Sequence, residues 1–300
     1  MANMANVIDY AERFERILVN KYEAEMKSWD LTLSNPGVTF INAQTIKLPR
    51  LTVSGYKDHN RNSIEFNTGV VTNDWEPKKL MHDRDVEFPI DPMDVDESNL
   101  VASIANIQTT FEREQAIPEI DSYRFSKIYS DYTDFGATAD TTALTAENIL
   151  ATFDTFMEEM DDEGVPYEGR ILYVTPTAYK LLKEAQGIDR FINVAPEARN
   201  INRNISTLDD VKIVTVPSAR MKTAYDFTDG CVPAQDAKQI NAILVHPDSV
   251  VARDKYAYIK VFTPGSDSRT ADKYIYQNRR YGDLFLLEKR LPGVKINVAE

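Results

Sequence analysis

The sequence predicts an α+β protein, because helix-like and strand-like stretches fall mostly into separate parts of the chain. Helical spacing of apolar residues marks the first two thirds, apart from an extended region over residues 46–90. The last third consists of short strand-like runs separated by Pro and Gly turns. Between these parts, a helix–strand–helix order indicates an α/β subdomain.

The composition is that of an ordinary globular protein without a membrane segment. With 300 residues, of which 43% are hydrophobic and 27% charged, the chain can bury one large core or two smaller ones. Its longest apolar runs, such as Ala242–Val245 and Leu284–Leu287, are far shorter than the ~20 residues that cross a bilayer. No secretory signal precedes the first helix, so we expect folding in a cytoplasm.

Cysteine content and net charge argue against several further classes of protein. The single cysteine, Cys231, excludes an intramolecular disulfide framework and any zinc site with several cysteines, and we interpret it as a packing residue. The formal net charge is −13, which disfavours sequence-specific nucleic-acid binding, since that needs basic patches. Net repulsion would also suit a surface that lies near nucleic acid without adhering to it.

The first part of the chain predicts an amphipathic helix followed by a long hairpin. Helical spacing runs from Val7 to Trp29. Two strand-like runs, Ile46–Tyr56 and Ile64–Thr72, then flank a polar tip, and a third extended stretch covers Leu80–Ile90. Isolated hairpins are marginal in water, so a long polar one is expected to rest on another surface. The alternative is an ordinary solvent loop on a three-stranded sheet.

A long helix is predicted after the hairpin, with Ser98 as its N-cap. Its apolar positions are spaced by four, three and four residues: Leu100, Ile104, Ile107 and Phe111. The apolar rhythm continues beyond Pro118, so we expect one helix with a break or kink at that residue.

The middle of the chain predicts the α/β subdomain. Thr145 is positioned to cap a helix with one apolar face, made of Ile149, Phe153, Phe156, Met157 and Met160. Arg170–Val174 indicates a buried strand, and Thr175 with Pro176 starts another helix. Val211–Val216 alternates as a strand, and the polar stretch Ser218–Lys238 indicates a long surface loop.

The last part predicts strands only. They are Ala242–His246, Tyr256–Phe262, Tyr274–Gln277, Tyr281–Glu288 and Val294–Val298. Turn residues such as Thr263-Pro264-Gly265 and Leu291-Pro292-Gly293 separate several of them.

Signatures of catalysis are missing from the sequence. The 11 glycines form no phosphate-binding loop, and His59, His82 and His246 lie in separate segments without a metal-binding or triad motif. We therefore expect neither an enzyme nor a cofactor.

An acidic cluster is the best metal candidate, made of Asp91, Asp94, Asp96 and Glu97. An EF-hand loop counted from Asp94 would place Asn99 where glycine is required and Ala105 where the bidentate Glu belongs. Two interpretations stay open, a different calcium or magnesium site or a turn that leads into the long helix.

Four phrases, in this order and spacing, resemble the tailed-phage major capsid protein family. The segment Trp75–Asp91 resembles the descending strand of its extended loop, and Ile117–Arg124 resembles the end of its spine helix. Arg170–Leu182 and Tyr281–Val294 resemble its axial and closing strands. The order of elements is also similar: an N-terminal arm, an extended loop, a long spine helix, an α/β axial domain and returning strands.

The resemblance implies a division of the chain into parts. They are an N-terminal arm (1–45), an extended hairpin loop (46–92), a peripheral domain with the spine helix (93–142), an axial domain (143–240) and return strands that complete both domains (241–300).

The resemblance also implies a function and partners. Copies of the chain would form hexamers and pentamers of an icosahedral shell around double-stranded DNA, contacted without sequence specificity. We expect assembly in the host cytoplasm, location in the virion, and a portal and a decoration protein as possible partners. The arm-like part starts almost at Met1, so the chain is either a mature, processed form or, as its initiating Met favours, one that relies on a separate scaffolding protein.

Three sets of residues carry the implied contacts. The loop tip would contact a neighbouring subunit through Lys57, Asp58, His59, Asn60, Arg61, Asn62 and Ser63. Spine packing is assigned to Leu100, Ile104, Ile107 and Phe111, and the loop Ser218–Lys238 is placed near the capsomer axis. Some relatives join a loop Lys to a neighbour's Asn, but no motif supplies a partner for Lys57, so we expect no crosslink.

Two alternatives stay open. An encapsulin, a cellular compartment shell of the same fold, would enclose enzymes in place of DNA. A soluble α/β metal-dependent hydrolase would use the carboxylates of Asp91–Glu97.

Overall fold

The computed structural model describes residues 26–32, 39–40, 45–59, 66–93, 104–185, 205–265 and 272–300. Within these ranges, none of the helices combines the length and apolarity that a bilayer crossing requires. Helices and sheets both occur, and the predicted α+β class is confirmed.

The strands of the described residues are, in chain order, β1 (Thr39–Phe40), β2 (Thr45–Val53), β3 (Val71–Lys79), β4 (His82–Ile90), β5 (Ile171–Val174), β6 (Thr207–Leu208), β7 (Val211–Thr215), β8 (Tyr225–Asp226), β9 (Val232–Pro233), β10 (Ile240–Val245), β11 (Val250–Phe262), β12 (Tyr274–Leu286) and β13 (Val294–Val298). The helices are α1 (Ile104–Phe111), α2 (Ile117–Asp134), α3 (Ile149–Asp162) and α4 (Pro176–Glu184). A π-helical turn, Glu112–Ala116, joins α1 to α2, and short 3-10 turns cover Trp29–Thr32, Ser218–Arg220, Pro247–Ser249 and Glu288–Gly293.

A five-stranded sheet in the order β13-β10-β5-β7-β6 forms the centre of the main core. Strands β5 and β7 run parallel, whereas the other neighbours are antiparallel. Helices cover both faces of this sheet, which explains why every residue of its strand β5 is buried. Leu172 and Val174 face the cluster formed with α3 and α4, and Ile171 and Tyr173 face the cluster formed with α2.

A second sheet, in the order β11-β12-β4, is antiparallel throughout. Its first rungs, such as Val250↔Leu286, enter the main core, and the rest extends outward under α1. Strands β1, β2 and β3 form a third sheet, whose arms β2 and β3 pair from Thr45↔Lys79 to Val53↔Val71.

The helix was predicted to break near Pro118, and the structure has a wider, π-helical turn just before that residue. Proline has no N–H to donate, so it removes one backbone hydrogen bond of the regular helix. The π-turn Glu112–Ala116 directly precedes Pro118, and the Ile117 N–H bonds the Glu112 carbonyl. The helix continues on both sides, so α1 and α2 act as one element.

Several local predictions are confirmed. The five apolar positions chosen for α3 are all buried. The predicted cap is displaced, since Asn148 is the N-cap of α3 and Thr145 accepts from the Asn148 N–H at 3.3 Å ahead of the helix. Thr175 caps α4 by accepting from the Ala178 N–H at 3.3 Å. The strands predicted at 80–90, 170–174, 211–216 and 294–298 correspond to β4, β5, β7 and β13.

The second arm of the hairpin was predicted at the wrong place. It is Val71–Lys79, not Ile64–Thr72. Asn67 and Gly69 disfavour strand, while Val70, Val71 and Thr72 favour it. The polar residues that follow, including Pro77 and two lysines, are tolerated because β3 is an edge strand.

Three other boundaries were also wrong. The strands predicted at 274–277 and 281–288 are one strand, β12, because its polar residues 277–280 lie on a sheet that faces water in part. Strand β11 begins at Val250, six residues before the predicted Tyr256. The first helix does not reach Trp29, since residues 27–28 form a turn ahead of a 3-10 helix; residues 7–25 lie outside the described part.

Candidate functional site

At the distal end of the hairpin, the described residues 54–59 and 66–70 are all exposed. Ser54 and Val70 close the ladder, with the Ser54 N–H donating to the Val70 carbonyl at 2.9 Å. Beyond them, Lys57 Nζ donates to the Thr68 carbonyl at 3.4 Å, and Asn67 Nδ2 donates to the Asp58 carbonyl at 2.8 Å. These bonds lie within the hairpin, so they shape its end without holding it to the body.

The residues predicted for inter-subunit contact divide into two groups. Lys57, Asp58 and His59 lie at this end and are exposed, with the His59 ring 5.9 Å from the Phe66 ring. Asn60, Arg61, Asn62 and Ser63 lie outside the described residues. The contact role of all seven stays a prediction.

Apolar side chains on the distal end were missed by the sequence reasoning. Tyr56 and Phe66 have 109% and 90% relative exposure, and Val53, Val70 and Val71 are also exposed. The tip was predicted from its polar residues alone, although Tyr56 and Phe66 lie close to that tip in the sequence.

The residues predicted for spine packing are distributed along α1 and before it. Phe111 packs against the rings of Phe88, at 5.4 Å, and Tyr276, at 6.5 Å, on the second sheet. Ile107 is half-buried and Ile104 begins the described helix, whereas Leu100 lies outside the described residues. The fully buried position of this turn is Gln108.

A buried polar network fastens two distant segments to α2. The Asp121 carboxylate is fully buried and accepts from the Ser28 N–H at 3.0 Å, the Ser28 hydroxyl at 2.8 Å and Arg220 Nη1 at 3.1 Å. Arg124, one turn along the helix, donates to the Ser28 carbonyl at 3.1 Å and the Thr32 hydroxyl at 2.9 Å. The network therefore fixes the chain near residue 28 and the start of the loop 218–238 on one helix.

Arg84 on β4 fastens the middle of that loop. Its guanidinium donates to Glu119 Oε1 at 2.6 Å and to the carbonyls of Phe227 at 2.5 Å and Gly230 at 3.3 Å. The loop itself contains the small ribbon β8–β9, so it is less irregular than predicted. Its position near a capsomer axis stays a prediction.

His82 lies beside this fastening in an aromatic cage. Its ring stacks on Tyr123 at 3.9 Å and meets the edge of Phe227 at 5.6 Å. Burial, assisted by the positive charges of Arg84 and Arg280, lowers the pKa of His82 to about 4. His82 is therefore neutral near pH 7, and its 3.8 Å approach to Glu119 is not an ion pair there.

Acid is expected to destabilise the fold through His82. The unfolded chain takes up a proton near pH 6.5 that the folded chain resists down to about 4, so stability is present above 6.5 and is lost as pH falls. That difference corresponds to at most roughly 3 kcal/mol. Urea unfolding at pH 7 and pH 4.5, compared between the wild type and His82→Phe, measures it. His82→Phe should gain relative stability at pH 4.5, and a constant difference between the two proteins would contradict the assignment.

An open cleft of about 660 Å³ lies beside the same residues. Its walls come from the long helix, the second sheet, the loop residues 228–230, and Trp29 with Thr32. Half-buried apolar residues such as Val86, Phe111 and Ile120 form part of the lining. Glu112, whose pKa burial raises, accepts from Asn278 Nδ2 at 2.7 Å at the wall.

The acidic cluster considered for a metal gives no assembled site in the described residues. Asp91 accepts from the Met93 N–H at 3.0 Å, as a turn residue does, and Asp94, Asp96 and Glu97 lie outside the described residues. Within the described ranges, no three His, Cys, Asp or Glu side chains come together as metal ligands.

Known proteins resemble this chain in structure. A scan against protein-family models finds no match, and a search of curated proteins finds none either. The asymmetric unit of the bacteriophage PhiM1 mature capsid is similar at 16% identity and a TM-score of 0.60, covering 86% of this chain and 82% of that one. The capsid of Cyanophage P-SCSP1u is similar at 14% identity and a TM-score of 0.60, covering 90% and 87%. A virus-like particle from Pyrococcus furiosus matches at 11% identity and a TM-score of 0.52, covering 97% and 99%.

Proposed function

Since the chain has the tailed-phage major capsid fold, we propose that it is the structural subunit that builds a phage capsid shell. The subunit works through repeated contacts with copies of itself and carries out no reaction. Copies assemble into hexamers and pentamers of an icosahedral shell that encloses double-stranded DNA.

The exposed end of the hairpin is the observation that carries this proposal. Tyr56 and Phe66 are almost completely exposed there. Covering such side chains on a neighbour supplies contact area without an enzyme-like pocket. A monomeric enzyme has no evident use for this arm.

The sheets and helices support an assignment of parts to the shell. The five-stranded sheet with α3 and α4 corresponds to the axial domain, and the long helix with the second sheet corresponds to the peripheral domain. The loop Ser218–Lys238 then lies near the capsomer axis, and a separate scaffolding protein, a portal and a decoration protein complete the set of partners. The subunit assembles in the host cytoplasm and is then located in the virion.

A net charge of −13 supports a shell that encloses DNA without binding it tightly. An enzyme-filled compartment is not favoured, because the similar structures are mostly phage capsids, for example those of PhiM1 and P-SCSP1u. The contents of the particle separate the two functions.

Particle size and contents test the proposal. The purified chain, alone and co-expressed with the genes beside its own, is measured by light scattering and negative-stain electron microscopy. Closed shells, tubes or capsomer rings are the expected species, and nuclease-protected DNA is expected in filled particles. Monomers or dimers under every condition would overturn the proposal, and shells filled with protein would replace it with an enzyme compartment.

A further inference from the structure

The ribbon β8–β9, residues 225–233, forms one wall of the cleft. Its two strands pair antiparallel, and residues 228–230 between them line the cleft. The base of the ribbon is closed by bonds of the loop to itself, such as the Thr223 N–H donating to the Lys238 carbonyl at 3.0 Å. The ribbon therefore keeps its shape without help from the surface on which it lies.

The attachments of this ribbon to the body include one guanidinium and one aromatic cluster. Arg84 donates to the carbonyls of Phe227 at 2.5 Å and Gly230 at 3.3 Å. The Phe227 ring meets the His82 ring at 5.6 Å and the Tyr123 ring at 5.5 Å. His82 is therefore part of the surface on which the ribbon rests, and Arg84, two residues along the same strand, holds the backbone of the ribbon.

A proton on His82 would enter a group of charges that are already paired. The charged side chains around the ring are three arginines and five carboxylates: Arg84, Arg124, Arg280, Asp83, Glu119, Asp229, Asp254 and Asp283. Arginines hold the carboxylates of Asp83, Glu119 and Asp254. Asp283 accepts three hydrogen bonds. The nearest carboxylate, Glu119 at 3.8 Å, is thus already engaged, and an imidazolium would be repelled by the arginines.

We propose that residues 225–233 form a flap of the cleft that acid releases, with His82 as its latch. A proton on the ring adds a positive charge beside Arg84, and the flap that rests on the ring gives way to water. The base of the loop and the main cores stay folded. The flap works within one chain, so it goes beyond the proposed shell function and can be measured in the unassembled protein.

Opening of the flap should become more frequent as the pH falls from 6.5 to about 4. Burial lowers the pKa of His82 to about 4 while the flap is closed, whereas a hydrated histidine has a pKa of about 6.5. The open form binds the proton in this range and the closed form does not. The opening equilibrium therefore gains roughly 60-fold between pH 7 and pH 4.5.

The reaction of Cys231 with 4,4′-dithiodipyridine measures this opening. Cys231 lies on the flap, and burial raises its pKa. Its rate is divided by the rate of the urea-unfolded chain at the same pH, because the reagent and the thiol also titrate. The ratio should rise roughly 60-fold from pH 7 to pH 4.5 in the wild type and stay constant in His82→Phe, which keeps an aromatic ring. His59→Phe removes an exposed histidine of the hairpin and is the matched control, expected to behave like the wild type.

A cysteine in the core separates release of the flap from unfolding of the whole chain. Ala178→Cys, in a chain with Cys231→Ser, places the thiol in the buried cluster of α4, where its ratio should not rise. A wild-type ratio that is constant with pH, a rise that persists in His82→Phe, or an equal rise at position 178 would each overturn the proposal. If His82→Phe does not fold, His82→Gln also lacks the titrating ring and gives the same readout.

Discussion

Removal of the distal hairpin is expected to abolish assembly while the chain still folds. The change replaces residues 55–69 by Asn-Gly, the two-residue turn that suits antiparallel arms, between Ser54 and Val70. The described residues of the deleted end are exposed, and Lys57 and Asn67 donate to carbonyls within it, so the free energy of unfolding should change little. Loss of two aromatic anchors at roughly 2 kcal/mol each weakens every contact by about a thousandfold.

Sedimentation velocity and circular dichroism together measure this effect. The shortened chain should sediment as a folded monomer at concentrations where the wild type forms particles. Thr68→Ala trims an exposed hairpin side chain without removing an anchor and is the control, expected to assemble normally. Particles from the shortened chain at wild-type yield would show that the hairpin does not make the shell contact.

Asp121→Ala is expected to produce the largest loss of stability among single substitutions. It leaves the buried donors of Ser28 and the Arg220 guanidinium without their acceptor. Breaking a buried ion pair by removing one partner costs about 3–5 kcal/mol, because a charge stays behind in a poorly hydrated place. The segment near residue 28 and the loop start at Ser218 should loosen together.

Urea unfolding of the unassembled chain measures this loss. Asp30→Ala is the matched control, since Asp30 pairs with Lys212 at 2.7 Å on the surface and its loss should cost less than about 1 kcal/mol. Equal effects of the two substitutions would mean that the Asp121 network does not hold these segments together.

Local patterns predicted the elements that depend on neighbouring residues in the chain. Helix α3 followed from five apolar residues at helical spacing, and α4 from Thr175 and Pro176 at its start. In both cases the deciding interactions span only a few residues, so the sequence carries them directly.

Strand register and side-chain networks that depend on distant partners were not predicted. The second arm of the hairpin was misplaced because the register is set by strand pairing from Thr45↔Lys79 to Val53↔Val71. The Asp121 network joins residues more than 90 positions apart, as Ser28 and Arg220 are from Asp121, and no spacing rule reveals it. The cleft is likewise assembled from separate elements.

The contact role of the hairpin end stays a prediction. It was assigned to the polar residues Lys57–Ser63, whereas the structure also presents two exposed aromatic residues there, Tyr56 and Phe66. An aromatic residue beside a polar turn is the signal that could have identified them, because strand ends without a core to enter leave such side chains in water.

A reconstruction of the assembled particle by electron cryomicroscopy tests the central claim most directly. We expect rings of six and five copies in a closed shell, with the hairpin of each copy in contact with a neighbouring copy. A particle built without such rings, or with residues 54–70 of every copy in solvent, would contradict it.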